Sequence, residues 1–206
     1  MTADSITLAK IAALRSSLVA EETPLPVRFR ALFSLKHVAR TNPPESAESL
    51  AAIEAIAAAF GSPSALLKHE LAYCLGQTGN PAALAPLTEV LEDLGQDAMV
   101  RHEAAEALGA LGKTDSLEVL KKYRDREGEE VCVKETCEIA IDRIEWENSE
   151  EKDQEKLKAR YVSATILCCQ NKMLTRLSSA TSPPSTRPRQ CLLARVSKLS
   201  KNWARP

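Results

Sequence analysis

Two His-Glu pairs, His69-Glu70 and His102-Glu103, are the residues of this chain whose types and spacing could do chemistry. They stand 33 residues apart in near copies of one segment, ALLKHELAYCLGQTG from Ala65 to Gly79 and AMVRHEAAEALGALG from Ala98 to Gly112. The chain has three histidines, and two of them occupy the same place in the two copies. An imidazole nitrogen and a carboxylate oxygen side by side near a helix start form a compact ligand set. Stacking equivalent helices at the usual separation of about 10 Å brings two such sets to one shared concave surface. Nitrogen and oxygen donors without thiolate suit non-haem iron or manganese better than structural zinc, with zinc left open. The competing reading is a duplicated polar dipeptide whose glutamate complements the helix dipole. Matching register favours the metal, and His37, in another register with no glutamate beside it, is left outside the ligand set.

Positioning these pairs requires the helices around them. The same register extends outward: Val27-Arg28-Phe29-Arg30 lies 40 residues before Leu67-Lys68-His69-Glu70, and Val133-Lys134-Glu135-Thr136 lies 33 after Val100-Arg101-His102-Glu103. Four units therefore share an apolar residue, a basic residue and a helix, and the outer two lack the His-Glu pair. Between them, Ser5–Val19, Ser46–Phe60, Ala82–Leu94 and Leu117–Tyr123 carry apolar residues at helical spacing. Pro24, Pro26, Pro43, Pro44, Pro63 and Pro81 fall between the periodic segments, and Gly79 and Gly112 stand where helices end. No run alternates long enough to propose a strand. The expectation is an all-α series of HEAT-like helical-hairpin repeats, an α-solenoid, over residues 1–146. The ankyrin and tetratricopeptide signatures are missing.

Composition agrees: 44% of residues are hydrophobic, 27% charged and 4% aromatic, a globular and helix-favouring mixture. The net charge of −1 hides an asymmetry, because residues 165–206 hold eight Lys or Arg and no Asp or Glu, leaving 19 basic against 28 acidic residues in 1–164. Residues 147–164 read as a charged linker, and 165–206, rich in Ser, Thr, Pro and Arg at their centre, as a disordered basic tail. That tail has neither aromatic interleaving nor an ordered basic face, so no nucleic-acid partner is expected. No stretch reaches the roughly 20 apolar residues of a membrane span and no signal peptide opens the chain, which makes a soluble, cytoplasmic protein the expectation. The six cysteines form no CxxC zinc pattern, and Cys74 and Cys137 read as small buried hydrophobes.

The motifs LLKHELAYCLGQ and MVRHEAAEALGALG, with RFRALFSL before and VKETCEIAIDRIEW after, closely resemble the N-terminal half of deoxyhypusine hydroxylase, a HEAT-repeat di-iron monooxygenase, over about residues 24–163. The resemblance implies that His69, Glu70, His102 and Glu103 bind iron (Fe2+, a di-iron centre in the family). It also implies that the substrate is the deoxyhypusine side chain of translation initiation factor 5A and the product hypusine. The family carries four His-Glu pairs, two in each half, whereas this chain has two. The expectation is a half-length form, either inactive or completed by a second copy in a homodimer. A non-catalytic HEAT-repeat scaffold is the alternative.

One expectation concerns the tail. Its apolar patterning is too sparse to offset the entropy of ordering, so deleting residues 165–206 leaves the thermal midpoint of the helical body nearly unchanged. Thermal melts of the two forms check this, and a drop of many degrees overturns the boundary.

Overall fold

The computed structural model describes residues 3–150 and Lys152. The tail expected over 165–206, most of the linker expected over 147–164, and Cys168, Cys169 and Cys191 lie outside the described residues. Among the described residues the chain forms eight α-helices and no strand: α1 Ala3–Val19, α2 Leu25–Thr41, α3 Ala47–Ala57, α4 Ala65–Thr78, α5 Leu84–Glu92, α6 Ala98–Leu111, α7 Leu117–Asp125 and α8 Val131–Glu147. Short 3-10 turns extend the end of α3 and precede α5 and α7. The architecture is the all-α HEAT-like stack expected from the repeats. None of the described helices is long and apolar enough to cross a membrane.

Local chemistry sets the helix ends. Ser46, Ser64 and Asp97 cap α3, α4 and α6, each side-chain oxygen accepting a backbone N–H of the first turn. Gly79 and Gly112 close α4 and α6 in the left-handed region, at φ 66° and 65°, where a Cβ would be strained. These two caps repeat at the 33-residue period, and so does the 3-10 turn that leads from each of them into the next helix.

The even-numbered helices form one layer, α4 against both α2 and α6 and α6 against α8, while each odd-numbered helix backs its partner from the other side. Leu67, Leu71 and Leu75 of α4 point into the core between the layers. Val100, Ala104 and Leu108 of α6 and Val133, Cys137 and Ile141 of α8 stand 33 residues on at each step, and all are buried. Cys137 thus takes the place of Leu71 and Ala104 as a core side chain. Burial pushes the thiols of both Cys74 and Cys137 up to about 12, so neither offers a thiolate.

The basic residue common to the units has a definite task. Arg28 Nε donates to the Leu18 carbonyl at 2.7 Å and Arg101 Nε to the Leu91 carbonyl at 2.9 Å, each tying off the end of the preceding helix. The same residue also reaches forward 28 positions: Lys68 Nζ donates to Gln96 at 2.6 Å, and Arg101 Nη2 to Glu129 at 2.8 Å. The position of Gln96 and Glu129 is held by Pro63 in the preceding unit, and Arg28 Nη2 is correspondingly buried without a hydrogen-bond partner.

What fixes the separation of the even-numbered helices is the absence of two side chains. A Cβ placed on Gly76 would lie 2.8 Å from the Cβ and 3.0 Å from the Cα of Ala107, and one on Gly109 the same distances from Ala140. Backbone cannot yield there as a flexible side chain could. Gly76→Ala and Gly109→Ala should each cost about 1–3 kcal/mol by overpacking, while Gly61→Ala, with open space around its Cβ, leaves stability unchanged or slightly raised. Urea denaturation of the three variants checks the contrast.

Candidate metal centre

Neighbours in sequence on a helix point about 100° apart, and the shortest contacts of both histidines are made between helices rather than within a His-Glu pair. His69 Nε2 of α4 lies 3.1 Å from Glu103 Oε2 of α6, whereas His69 Nδ1 and Glu70 Oε1 are 3.6 Å apart. Close approach through Gly76 and Ala107 is what lets an imidazole on one helix reach a carboxylate on the next. His102 makes the equivalent reach to α8, where its Nδ1 meets Thr136 Oγ1 at 2.6 Å. His69 and His102 thus both look one helix ahead.

Glu106 was not singled out in the sequence and completes the cluster. Single ligand atoms from His102, Glu103 and Glu106 lie within 4.8 Å of one another. A metal with bonds near 2.1 Å keeps its ligand atoms within about 4.2 Å, so the cluster needs to tighten by only about half an ångström. The sequence signal that marks Glu106 is its place four residues after His102, on the same helix face. Its register partners are Tyr73 and Ile139, neither of them a ligand, which is why the repeat comparison passes over it. His37 is exposed on α2, away from the cluster.

The electrostatics are those of a site short of a cation. Glu103 is buried at 6% exposure, and its pKa is raised, chiefly by burial, with His69 pulling it down and Glu106 and Glu70 pushing it up. Among the described residues no lysine or arginine forms an ion pair with Glu70, Glu103 or Glu106. Glu129, the other buried glutamate, shows the contrast: the Arg101 guanidinium grips both its oxygens and holds its carboxyl below the usual range. His69 adds a second deficit, because its Nδ1 is buried with no hydrogen-bond partner and faces the Glu70 carboxylate. Two imidazoles and three carboxylates lacking a counter-charge fit a divalent ion of the hard or borderline kind.

Toward α2 the same helix layer turns aromatic. Phe29, at the register position of His69, stacks on Phe33 with ring centroids 6.3 Å apart, and Lys36 Nζ sits 5.3 Å from the Phe33 ring and 5.8 Å from that of Tyr73. The donor set ends where this cluster begins.

Comparison with known proteins agrees with the fold. A family model of HEAT repeats matches residues 53–138. Deoxyhypusine hydroxylase of Neurospora crassa is 74% identical over 150 residues, covering 73% of this chain and 46% of the relative. That of Chaetomium globosum is 72% identical over 149 residues, covering 72% and 43%. The solved structure of human deoxyhypusine hydroxylase in complex with glycerol superposes with a TM-score of 0.62 at 45% identity, covering 69% of this chain and 46% of that one. The helical body is therefore that of a HEAT-repeat protein. Within that class the chain belongs, over its matched residues, to the deoxyhypusine hydroxylase family, and it spans about half the length of the curated relatives it matches.

The raised pKa of Glu103 gives a signed prediction. Its ionised form is disfavoured in the folded protein, so the contribution is fully stabilising below the ordinary glutamate pKa and is lost as pH rises through the folded value. Glu103→Gln should therefore raise the thermal midpoint of the metal-free protein at pH 7 by a few degrees, on the order of 1 kcal/mol, with the gain vanishing near pH 4. Melts of the metal-free parent and variant at both pH values check both statements.

Proposed function

We propose that this chain supplies one half of an iron-dependent deoxyhypusine hydroxylase site, with His69, Glu70, His102 and Glu103 as its metal-binding residues and Glu106 beside them. The observation that carries the reading is the buried Glu103 carboxylate, set between His69, Glu70 and Glu106 with no lysine or arginine among the described residues paired to it. Iron bound at these residues would supply the dioxygen-activating chemistry that hydroxylates an unactivated carbon. The substrate is the deoxyhypusine side chain of translation initiation factor 5A, which fits a cytoplasmic protein. Glu70 is a third exposed and Glu106 mostly exposed at their side chains, and they put negative charge where a cationic amine arrives, which favours encounter and orients the amine.

Two histidines and a few carboxylates are few ligands for two iron ions. A second copy of the chain, related by two-fold symmetry, would bring the same residues to the opposite side of the site. The proposed working form is accordingly a homodimer whose assembly is linked to iron.

Iron content and sedimentation velocity test this together. Anaerobic reconstitution should load iron on the parent and on His37→Ala, shift both from monomer to dimer, and give hydroxylated product from deoxyhypusine-bearing factor 5A, read by mass. His69→Ala and His102→Ala should lower iron content by at least about tenfold while keeping their helical circular dichroism. A parent that stays metal-free with intact helicity would support the non-catalytic scaffold instead. One that binds iron as a monomer and yields no product would be an inactive half.

A further inference from the structure

Thr136 belongs to neither His-Glu pair, and nothing in the repeat comparison distinguishes it except that it stands where Glu103 stands one unit earlier. Its hydroxyl makes two contacts. Oγ1 lies 2.8 Å from the Cys132 carbonyl, one turn back on α8, and 2.6 Å from Nδ1 of His102 on α6. A hydroxyl has one hydrogen and two lone pairs, so the two contacts constrain each other. If the hydrogen pointed at His102, two bare oxygens would face each other at 2.8 Å, which is repulsive. If it points at the Cys132 carbonyl, an acceptor lone pair is left for His102, and Nδ1 must bring the hydrogen.

From this geometry we infer that Thr136 is a positioning residue that fixes the tautomer of His102: Nδ1 carries the proton and Nε2 is left as a lone pair directed toward the acidic side of the cluster, where Glu106 Oε2 lies 3.8 Å away. The inference rests on the metal-site reading above and deepens it. A lone pair facing carboxylate oxygens has no hydrogen to share with them, so a cation is what satisfies both. Thr136 therefore selects the imidazole form that binds metal through Nε2, the task that hydrogen-bond acceptors behind a ligating histidine perform generally. It also explains a difference between units. Glu103 holds the corresponding place against His69, but through Nε2 and as a charged member of the cluster, whereas the last unit needs only a neutral acceptor, and a threonine in a helix has its hydroxyl already committed to the carbonyl four residues back.

The tautomer can be read directly in metal-free protein, because ring 15N shifts separate protonated from unprotonated nitrogens and the chain has only three histidines. At about pH 8.5, well above the ordinary histidine pKa, the signals are assigned with His37→Gln and His69→Gln. The parent should show His102 protonated at Nδ1. Thr136→Val, which keeps the shape and removes the acceptor, should move it toward the Nε2-protonated form and weaken Fe2+ binding by about 10–100-fold in equilibrium dialysis, with Thr136→Ser restoring both. A parent His102 protonated mainly at Nε2 overturns the inference whatever the variants do, and so does an unchanged tautomer in a folded Thr136→Val. A parent that binds no Fe2+ but shows Nδ1 protonated overturns the iron reading while leaving the tautomer assignment standing, so the two failures are distinguishable.

Discussion

The distance between neighbouring even-numbered helices is the constraint on which the rest depends. At Gly76 and Gly109 the chain leaves out a side chain so that the Ala107 and Ala140 backbones can come close. Only at that separation does an imidazole reach across to the following helix. His69 meets Glu103 and His102 meets Thr136, each 34 residues ahead. A methyl in place of either glycine hydrogen would meet the facing alanine and force a wider spacing, moving these donors and acceptors apart. Packing and chemistry are thus set by the same two positions.

The chain handles buried charge in two opposite ways. Arg101 and Glu129 neutralise each other and lock one unit to the next, with Arg101 also tying off α5. Glu103, two residues along the same helix, faces the His69 imidazole but, among the described residues, pairs with no lysine or arginine, and two further carboxylates lie near it. A sequence optimised for stability alone would treat both alike. That one glutamate is paired with an arginine and the other is not is the physical difference between a structural ion pair and a candidate ligand.

Much of this was legible in the sequence because the repeat makes the chain compare itself. The register of Lys68-His69-Glu70 against Arg101-His102-Glu103 predicted which helices are equivalent, and Gly79 and Gly112 marked where they end. What was not legible is which residues touch. Adjacent His and Glu read as a pair, yet the shortest contacts of both histidines run between helices, a geometry that depends on helix separation. Glu106 and Thr136 were missed for the same reason: neither is repeated, and each matters only through a neighbour on another turn or another helix. The role of the basic residue was equally hidden, because Leu18 and Leu91 contribute backbone carbonyls that no side-chain pattern reveals.

The buried thiol of Cys74 acquires a meaning from its surroundings. Burial holds its pKa up at about 12, with Glu70 and Glu103 pushing the same way and Lys36 against them, whereas an ordinary exposed cysteine is ionised to a few per cent at pH 7. The thiolate is the form that oxidants attack. The burial that packs this sulfur into the core therefore keeps it inert, and two carboxylates of the candidate site add to that effect.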